Sequence, residues 1–247
     1  MSPHQSWSII VFAFNEEGSI LGILEKAYDI INKVSPEGGE LIIVDDGSTD
    51  KTPSLIKEFL QNKSNIITVT HRKNKGIGPA LTSGYKIASK ENVCAIPGDG
   101  QFNPYELIPF ATIPEHTIVS FYRQKKTLYS PFRKLLTYCN RFLNRCILGI
   151  TIRDVNWIKV YKNEDLKKTN LAITSSLVES EICAKMLLKN HQLIEVKSDY
   201  GVRLSGKPKG ASYKIIKKAL SDVFILYCEI RRYKKKVPTL RVPQCKM

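Results

Sequence analysis

The first hundred residues alternate between short apolar runs and amphipathic stretches. Trp7–Phe14 is a β-rich apolar run, the pattern of a strand covered on both faces. Asn15-Glu16-Glu17-Gly18-Ser19 ends it, and Ile20, Leu24, Ala27, Ile31 and Val34 then recur at helical spacing. Pro36-Glu37-Gly38-Gly39 turns the chain into a second run, Leu41–Val44, which stops at Asp45-Asp46-Gly47-Ser48-Thr49-Asp50. Thr52–Leu60 is predicted as a short helix that Asp50 is placed to cap. Asn65–Thr70 reads as a third strand. The basic, glycine-bearing loop His71–Pro79 follows it, and then a helix from Ala80 to Lys90. A fourth apolar run, from Val93, ends abruptly at Pro97-Gly98-Asp99-Gly100-Gln101.

This β-α-β-α-β-α-β series with short connections predicts a mostly parallel sheet with helices on both faces. Each polar cluster follows a strand, so the clusters collect on one edge, where open α/β sheets bind ligands. No GxGxxG follows the first strand and no GxxxxGK[ST] occurs, which removes the main support for dinucleotide and P-loop readings.

The second half is less regular. His116–Tyr122, Asp154–Tyr161 and Gln192–Lys197 read as strands, and Pro131–Gly149 and Glu179–Lys189 as helices. Tyr200–Ala211 is a basic loop with three glycines. From Ser212 to about Tyr233 a helical stripe runs through Ile216, Ala219, Leu220, Val223, Phe224, Tyr227 and Ile230. The expected division is therefore a main domain over 1–211 and an amphipathic basic helix and tail over 212–247.

Composition narrows the partners. With 247 residues the chain is long enough for one large core, and 38 Lys and Arg against 23 Asp and Glu give a net charge of +15. That excess points to an anionic partner: nucleic acid, lipid headgroups or a phosphorylated substrate. Six scattered cysteines, without a CxxC pair, fit a packing role in a reducing compartment. The N-terminus lacks the pattern of a signal peptide, and no apolar run reaches the roughly 18–20 residues of a span.

The chemistry-bearing residues are those at the strand ends. Asp99 and Gln101 are hard oxygen donors of the kind that hold Mg²⁺ or Mn²⁺ on a diphosphate. A turn that uses Asp, Gly, Asn and Pro for backbone reasons has the same composition. Asp45 and Asp46 are equally consistent with a helix cap and an Asp-Gly-Ser turn. Gly76 and Gly78 permit close backbone approach, to a ligand or to a neighbouring element.

Four clusters stand in fixed order: Phe12-Ala13-Phe14-Asn15-Glu16-Glu17, Val44-Asp45-Asp46-Gly47-Ser48-Thr49-Asp50, Asn74-Lys75-Gly76-Ile77-Gly78-Pro79-Ala80 and Gly98-Asp99-Gly100-Gln101. Together they resemble the family 2 glycosyltransferases of GT-A fold. The branch they resemble is that of dolichol-phosphate mannose synthase and the bacterial polyprenyl-phosphate sugar transferases. Asp154-Val155-Asn156-Trp157, Glu181-Ile182 and Arg203-Leu204-Ser205-Gly206-Lys207 extend the likeness to about Ala211. Two positions depart from the pattern. Pro97 replaces the first acid of Asp-x-Asp-x-Gln, and Phe14 stands where Tyr is usual, keeping a ring for stacking without the hydroxyl.

The resemblance implies a GT-A-like fold and an inverting sugar transfer from a nucleotide-sugar donor to a polyprenyl phosphate. It places Ala13, Phe14, Asn15, Glu16, Asp45 and Asp46 around the nucleoside, and Lys75, Gly76 and Gly78 near the diphosphate. Asp99 and Gln101 become the Mg²⁺ or Mn²⁺ ligands. A polyprenyl phosphate is already an anionic nucleophile, so it needs orientation and a cationic clamp, for which Arg123, Arg133 and Arg203 are the candidates. Asp154 and Glu181 are placed to orient the sugar or those arginines, or to form structural salt bridges. A hydroxyl acceptor on a glycan is the alternative, with Asp154 or Glu181 as general base. A basic nucleic-acid-binding protein would explain the charge but not the acidic strand ends, so no nucleic acid partner is expected. The expected location is cytoplasmic, peripheral at the cytoplasmic face of an anionic membrane, held by Pro131–Gly149 and the C-terminal helix with Lys234-Lys235-Lys236.

Overall fold

The computed structural model describes residues 5–36, 38–123, 138, 141–201, 203 and 213–236. Its centre is a seven-stranded sheet in the order β3-β2-β1-β4-β6-β5-β7. The strands are β1 (Trp7–Ala13), β2 (Glu40–Asp45), β3 (Ile66–Thr70), β4 (Asn92–Pro97), β5 (Thr117–Arg123), β6 (Lys159–Lys162) and β7 (Gln192–Ser198). All neighbouring pairs are parallel except those made by β6, which runs antiparallel to both β4 and β5.

Helices α1 (Ile20–Val34), α2 (Thr52–Phe59) and α3 (Ile77–Ile87) are the crossovers of the first half. The near-continuous apolar strands alternate between two cores, as a pleated sheet covered on both faces requires. Ile9, Val11, Leu41 and Ile43 point toward α1 and α2, whereas Ile10, Ile42 and Val44 pack with Ala80, Leu81 and Tyr85 of α3. The N-cap of α2 is Lys51 rather than the expected Asp50, which lies one residue earlier and whose carboxylate accepts the Thr52 N–H at 2.9 Å.

In the second half, the described residues include α4 (Asn163–Lys167), α5 (Val178–Leu188) and α6 (Tyr213–Lys236), and Pro104–Phe110 forms a 3-10 helix. The expected strand Asp154–Tyr161 is only Lys159–Lys162. Residues 154–158 form a turn, with the Trp157 N–H bonded to Asp154 O at 3.3 Å. The expected helix Pro131–Gly149 lies largely outside the described residues, and Leu143–Leu148 is a π-helical turn. Most of the loop Tyr200–Ala211 also lies outside them. Helix α6 buries Leu226 and Ile230 against the core that holds Leu177, Cys183 and Ala184 of the α5 region. Phe224 and Ile225 are exposed, so the buried face differs from the stripe drawn through Phe224 in the sequence.

The antiparallel β6 has one consequence for function. The residues that precede it, Asp154–Ile158, lie at the same sheet edge as the ends of β1, β2, β4, β5 and β7.

Candidate active site

Two turns meet first at that edge. Asn15 adopts a left-handed backbone (φ 53°), which Asn tolerates better than most residues. Its side-chain oxygen accepts the Thr49 N–H at 2.7 Å, and its own N–H donates to Ser48 Oγ at 2.9 Å. Glu16 N–H donates to Thr52 Oγ1, Glu17 N–H to Asp50, and Lys51 N–H to Glu17. The acid- and amide-rich sequence after β1 and β2 thus locks the two turns together. Asp45 accepts the Ser48 N–H at 3.0 Å and is buried beside Ala13, its register partner in β1. Phe14 is half-buried next to it.

Asp46 faces the other way. Its carboxylate accepts the backbone N–H groups of Lys75 (3.0 Å) and Gly76 (2.8 Å), and Oδ1 lies 2.6 Å from His71 Nδ1. His71 Nε2 pairs in turn with Ser83 Oγ at 2.9 Å. Asp46 therefore sets the path of the 71–76 loop. Gly76 has φ +92°, a conformation that disfavours any side chain. A Cβ on Gly78 would collide with the carbonyl oxygens of Thr174 and Ser175, so this glycine's close approach is to protein backbone. The Lys75 side chain is exposed.

Asp99 stands at the end of β4, next to β1, where the strand order reverses. It accepts the Gln101 N–H at 3.1 Å, and Arg203 Nη1 lies 3.8 Å from Oδ2. Burial pushes the Asp99 carboxyl above its ordinary value, while the Gln101 N–H and the charges of Arg203 and Arg123 pull the other way. Gln101 pairs with Gly201 in both directions, N–H of 201 to O of 101 at 2.9 Å and Nε2 to O of 201 at 3.3 Å. That pairing carries Arg203 into the site, where it also bonds Glu16. Glu16, Arg203 and Asp99 form an acid-base-acid row between the β1 and β4 turns.

Arg123, at the end of β5, is gripped by Asp154 in a fork, Nε to Oδ2 at 2.7 Å and Nη2 to Oδ1 at 2.9 Å. Its guanidinium lies over the rings of Trp157 (4.7 Å) and Tyr200 (5.5 Å). Asp154 thus pairs with an arginine, a geometry common to the orienting and the salt-bridge readings of this acid. Arg133 lies outside the described residues. Glu181 is fully buried: it accepts the N–H groups of Ala172 and Ile173 and is 2.7 Å from Lys185 Nζ. It is a structural carboxylate, not a base or orienting group at the site. Sequence reading passed over His71, Trp157 and Tyr200. Two signals were available: His71 stands immediately after a strand, and Trp157 lies within the segment Asp154-Val155-Asn156-Trp157.

The family model of glycosyl transferase family 2 matches residues 8–168. The chain belongs to this family. Among relatives, it is 24% identical over 240 residues to the dodecaprenyl-phosphate galacturonate synthase of Rhizobium johnstonii, covering 91% of this chain and 68% of that one. It is 30% identical over 151 residues to the undecaprenyl-phosphate 4-deoxy-4-formamido-L-arabinose transferase of Proteus mirabilis, covering 60% of this chain and 45% of that one. In fold it is similar to glucosyl-3-phosphoglycerate synthase from Mycobacterium tuberculosis in complex with UDP, with a TM-score of 0.64 at 16% identity over 96% of this chain and 82% of that one. The same synthase with Mn²⁺, UDP and glucosyl-3-phosphoglycerate gives a TM-score of 0.59 at 17% identity, again over 96% and 82%. The family match spans all four clusters, and the fold is the GT-A sheet described above.

Proposed function

We propose that this glycosyltransferase moves a sugar from a nucleotide-sugar donor to a polyprenyl phosphate, with inversion, at a membrane surface. The observation that carries the reading is the convergence of Asp99, Arg203 and Arg123 at the sheet's switch point, in a chain whose relatives act on dodecaprenyl and undecaprenyl phosphates.

In this reading the nucleoside lies by Ala13, Phe14, Asn15 and Asp45, with the Phe14 ring as a stacking surface. Asp46 acts on the donor indirectly, by holding the Lys75-Gly76 backbone near the diphosphate. The donor set at the β4 turn fits a divalent ion. Asp99 is a desolvated carboxylate, Gln101 adds an amide oxygen, and the remaining positions fall to phosphate oxygens and water. Asp99 and Gln101 would hold Mg²⁺ or Mn²⁺ there, and the ion would supply charge neutralisation for the leaving nucleoside diphosphate. Pro97 supplies no side-chain donor, so Asp99 carries the charge of the set alone.

Arg123, pre-oriented by Asp154 and the two rings, and Arg203, pre-oriented by Glu16, are the forks for the acceptor phosphate. An anionic acceptor attacks without a general base. The hydroxyl-acceptor reading needs one, yet Asp154 is bonded to Arg123 and Glu181 is sealed in the core.

Among the described residues, no helix is long and apolar enough to cross a membrane. We place contact with an anionic bilayer on the exposed Phe224 and Ile225 of α6 and on Lys234-Lys235-Lys236. The location this implies is peripheral, at the cytoplasmic face.

The test is a donor screen that reads released nucleoside diphosphate with and without polyprenyl phosphate. Release that requires the lipid, stops in chelator and returns with Mn²⁺ or Mg²⁺ is the expected result, and the product's anomeric configuration by NMR reports inversion. Release unaffected by polyprenyl phosphate but driven by a glycan overturns the acceptor assignment. Flotation with anionic vesicles tests the membrane face: Phe224→Ser with Ile225→Ser should reduce binding, and unchanged flotation removes α6 from it.

A further inference from the structure

At the sheet edge opposite Asp99, three side chains meet that the transfer reaction does not use. His116 immediately precedes β5, His191 immediately precedes β7, and Asp165 lies on α4, which directly follows the antiparallel β6. Because β5 and β7 are parallel and β6 is not, all three fall at one end of the sheet. The Gln192 N–H bonds to His116 O at 2.8 Å and fixes the two histidine positions side by side.

Their polar atoms point at one another. His116 Nδ1 is 3.1 and 3.2 Å from the two Asp165 oxygens, and His191 Nε2 is 3.0 Å from Asp165 Oδ2. One ligand atom from each residue can be chosen so that all lie within 4.8 Å of one another. The His191 side chain is only 4% exposed, and neither of its ring nitrogens makes a hydrogen bond. Nε2 meets the Asp165 carboxylate at 3.0 Å without a well-directed bond, a buried and costly pairing that a shared ion would complete.

We propose that His116, Asp165 and His191 form a second metal site, for a divalent transition ion such as Zn²⁺. Two imidazoles and one carboxylate suit Zn²⁺ better than Mg²⁺, which prefers oxygen donors. Donors at roughly 2.0–2.2 Å from a shared ion stand about 3–3.5 Å apart, close to the Asp165 separations already present. His116 is 67% exposed on its side chain, so it is free to close the remaining distance and leaves the ion open to water. Held there, the ion would staple the starts of β5 and β7 to α4. The site is structural, and it is separate from the ion position proposed at Asp99, which lies at the other end of the strands.

The test uses the full chain, without added histidines, stripped by chelator and dialysed. Zn²⁺ is titrated against a chromophoric chelator, Co²⁺ is followed by its visible absorption, and the thermal midpoint is recorded with each. The expected result is one Zn²⁺ per chain, a raised midpoint, and no competition from excess Mg²⁺. His191→Ala and His116→Ala should each weaken binding by at least about tenfold, the scale of losing a ligand or its support. Asp99→Asn should leave it unchanged. His116 is exposed, so His116→Ala keeps the test valid even if the His191 variant fails to fold by circular dichroism. The proposal is overturned if wild type takes up no stoichiometric Zn²⁺, if His116→Ala binds it as well as wild type, or if Asp99→Asn abolishes it.

Discussion

Asp99 and Glu181 are both buried acids, yet they are prepared for opposite tasks. Glu181 has no exposed surface, and two backbone N–H groups and the Lys185 ammonium surround it. Lys185 is itself shared with Asn170 O and Glu229. Asp99 sits in a turn with a backbone N–H from Gln101 and the Arg203 guanidinium at 3.8 Å, and burial raises its carboxyl's proton affinity. The saturated acid holds 170–173 against α5 and has nothing left for a ligand. The under-compensated one gains by taking a cation. Burial alone therefore does not mark a functional carboxylate; the completeness of its partners does.

This contrast breaks first at Glu181. Glu181→Ala leaves the Lys185 charge buried without its main partner, and stability should fall by about 3–5 kcal/mol in urea denaturation. A loss under about 1 kcal/mol, the range of an exposed pair, would show that the network is not what orders this region. Next is Asp99→Asn, which should fold normally and lose at least about 10²-fold in kcat, the effect of removing a main electrostatic stabiliser. Full turnover of that variant in excess chelator would remove Asp99 from the metal site. Asp46→Ala tests the loop-holding role and should raise the donor KM roughly tenfold, with a smaller change in kcat, as lost ground-state binding does. Unchanged nucleotide affinity by calorimetry would show that the 71–76 loop does not touch the donor.

The smallest effect is on stability against pH. The folded Asp99 carboxyl is raised above 3.8, so the native state holds its proton more tightly than the unfolded chain. The favourable contribution is complete below that unfolded value and disappears as pH rises through the folded one. Without metal, Asp99→Asn should therefore melt slightly higher than wild type at neutral pH, and saturating Mn²⁺ should narrow or reverse the gap. A variant that melts lower at neutral pH in chelator would contradict the desolvated state of Asp99.

The first half of the fold was legible because local pattern and global topology agree there. Apolar runs of strand length alternate with amphipathic helices, and the crossover rule leaves few arrangements. The four clusters were legible for the same reason, since three stand at strand ends and Asn74–Ala80 opens the next helix. Residues 154–158 were misread as strand because Val155, Trp157 and Ile158 are apolar. Trp157 is apolar for carrying the Arg123 guanidinium on its ring, Ile158 joins the main core, and Val155 packs with Leu143, Leu148 and Ile150.

What the sequence by itself determined is the alternation of elements, the edge on which the polar clusters gather, and the family to which they belong. Only the tertiary structure decided which acid serves which purpose. Asp46 and His71 are 25 positions apart, Arg123 and Asp154 are 31, and Glu16 and Arg203 are 187. Hydrogen-bond completeness is a property of such long-range meetings, and composition and spacing along the chain hold no record of it. The same holds at the far edge. The antiparallel turn of β6 carries Asp165 to two histidines that lie 75 residues apart along the chain.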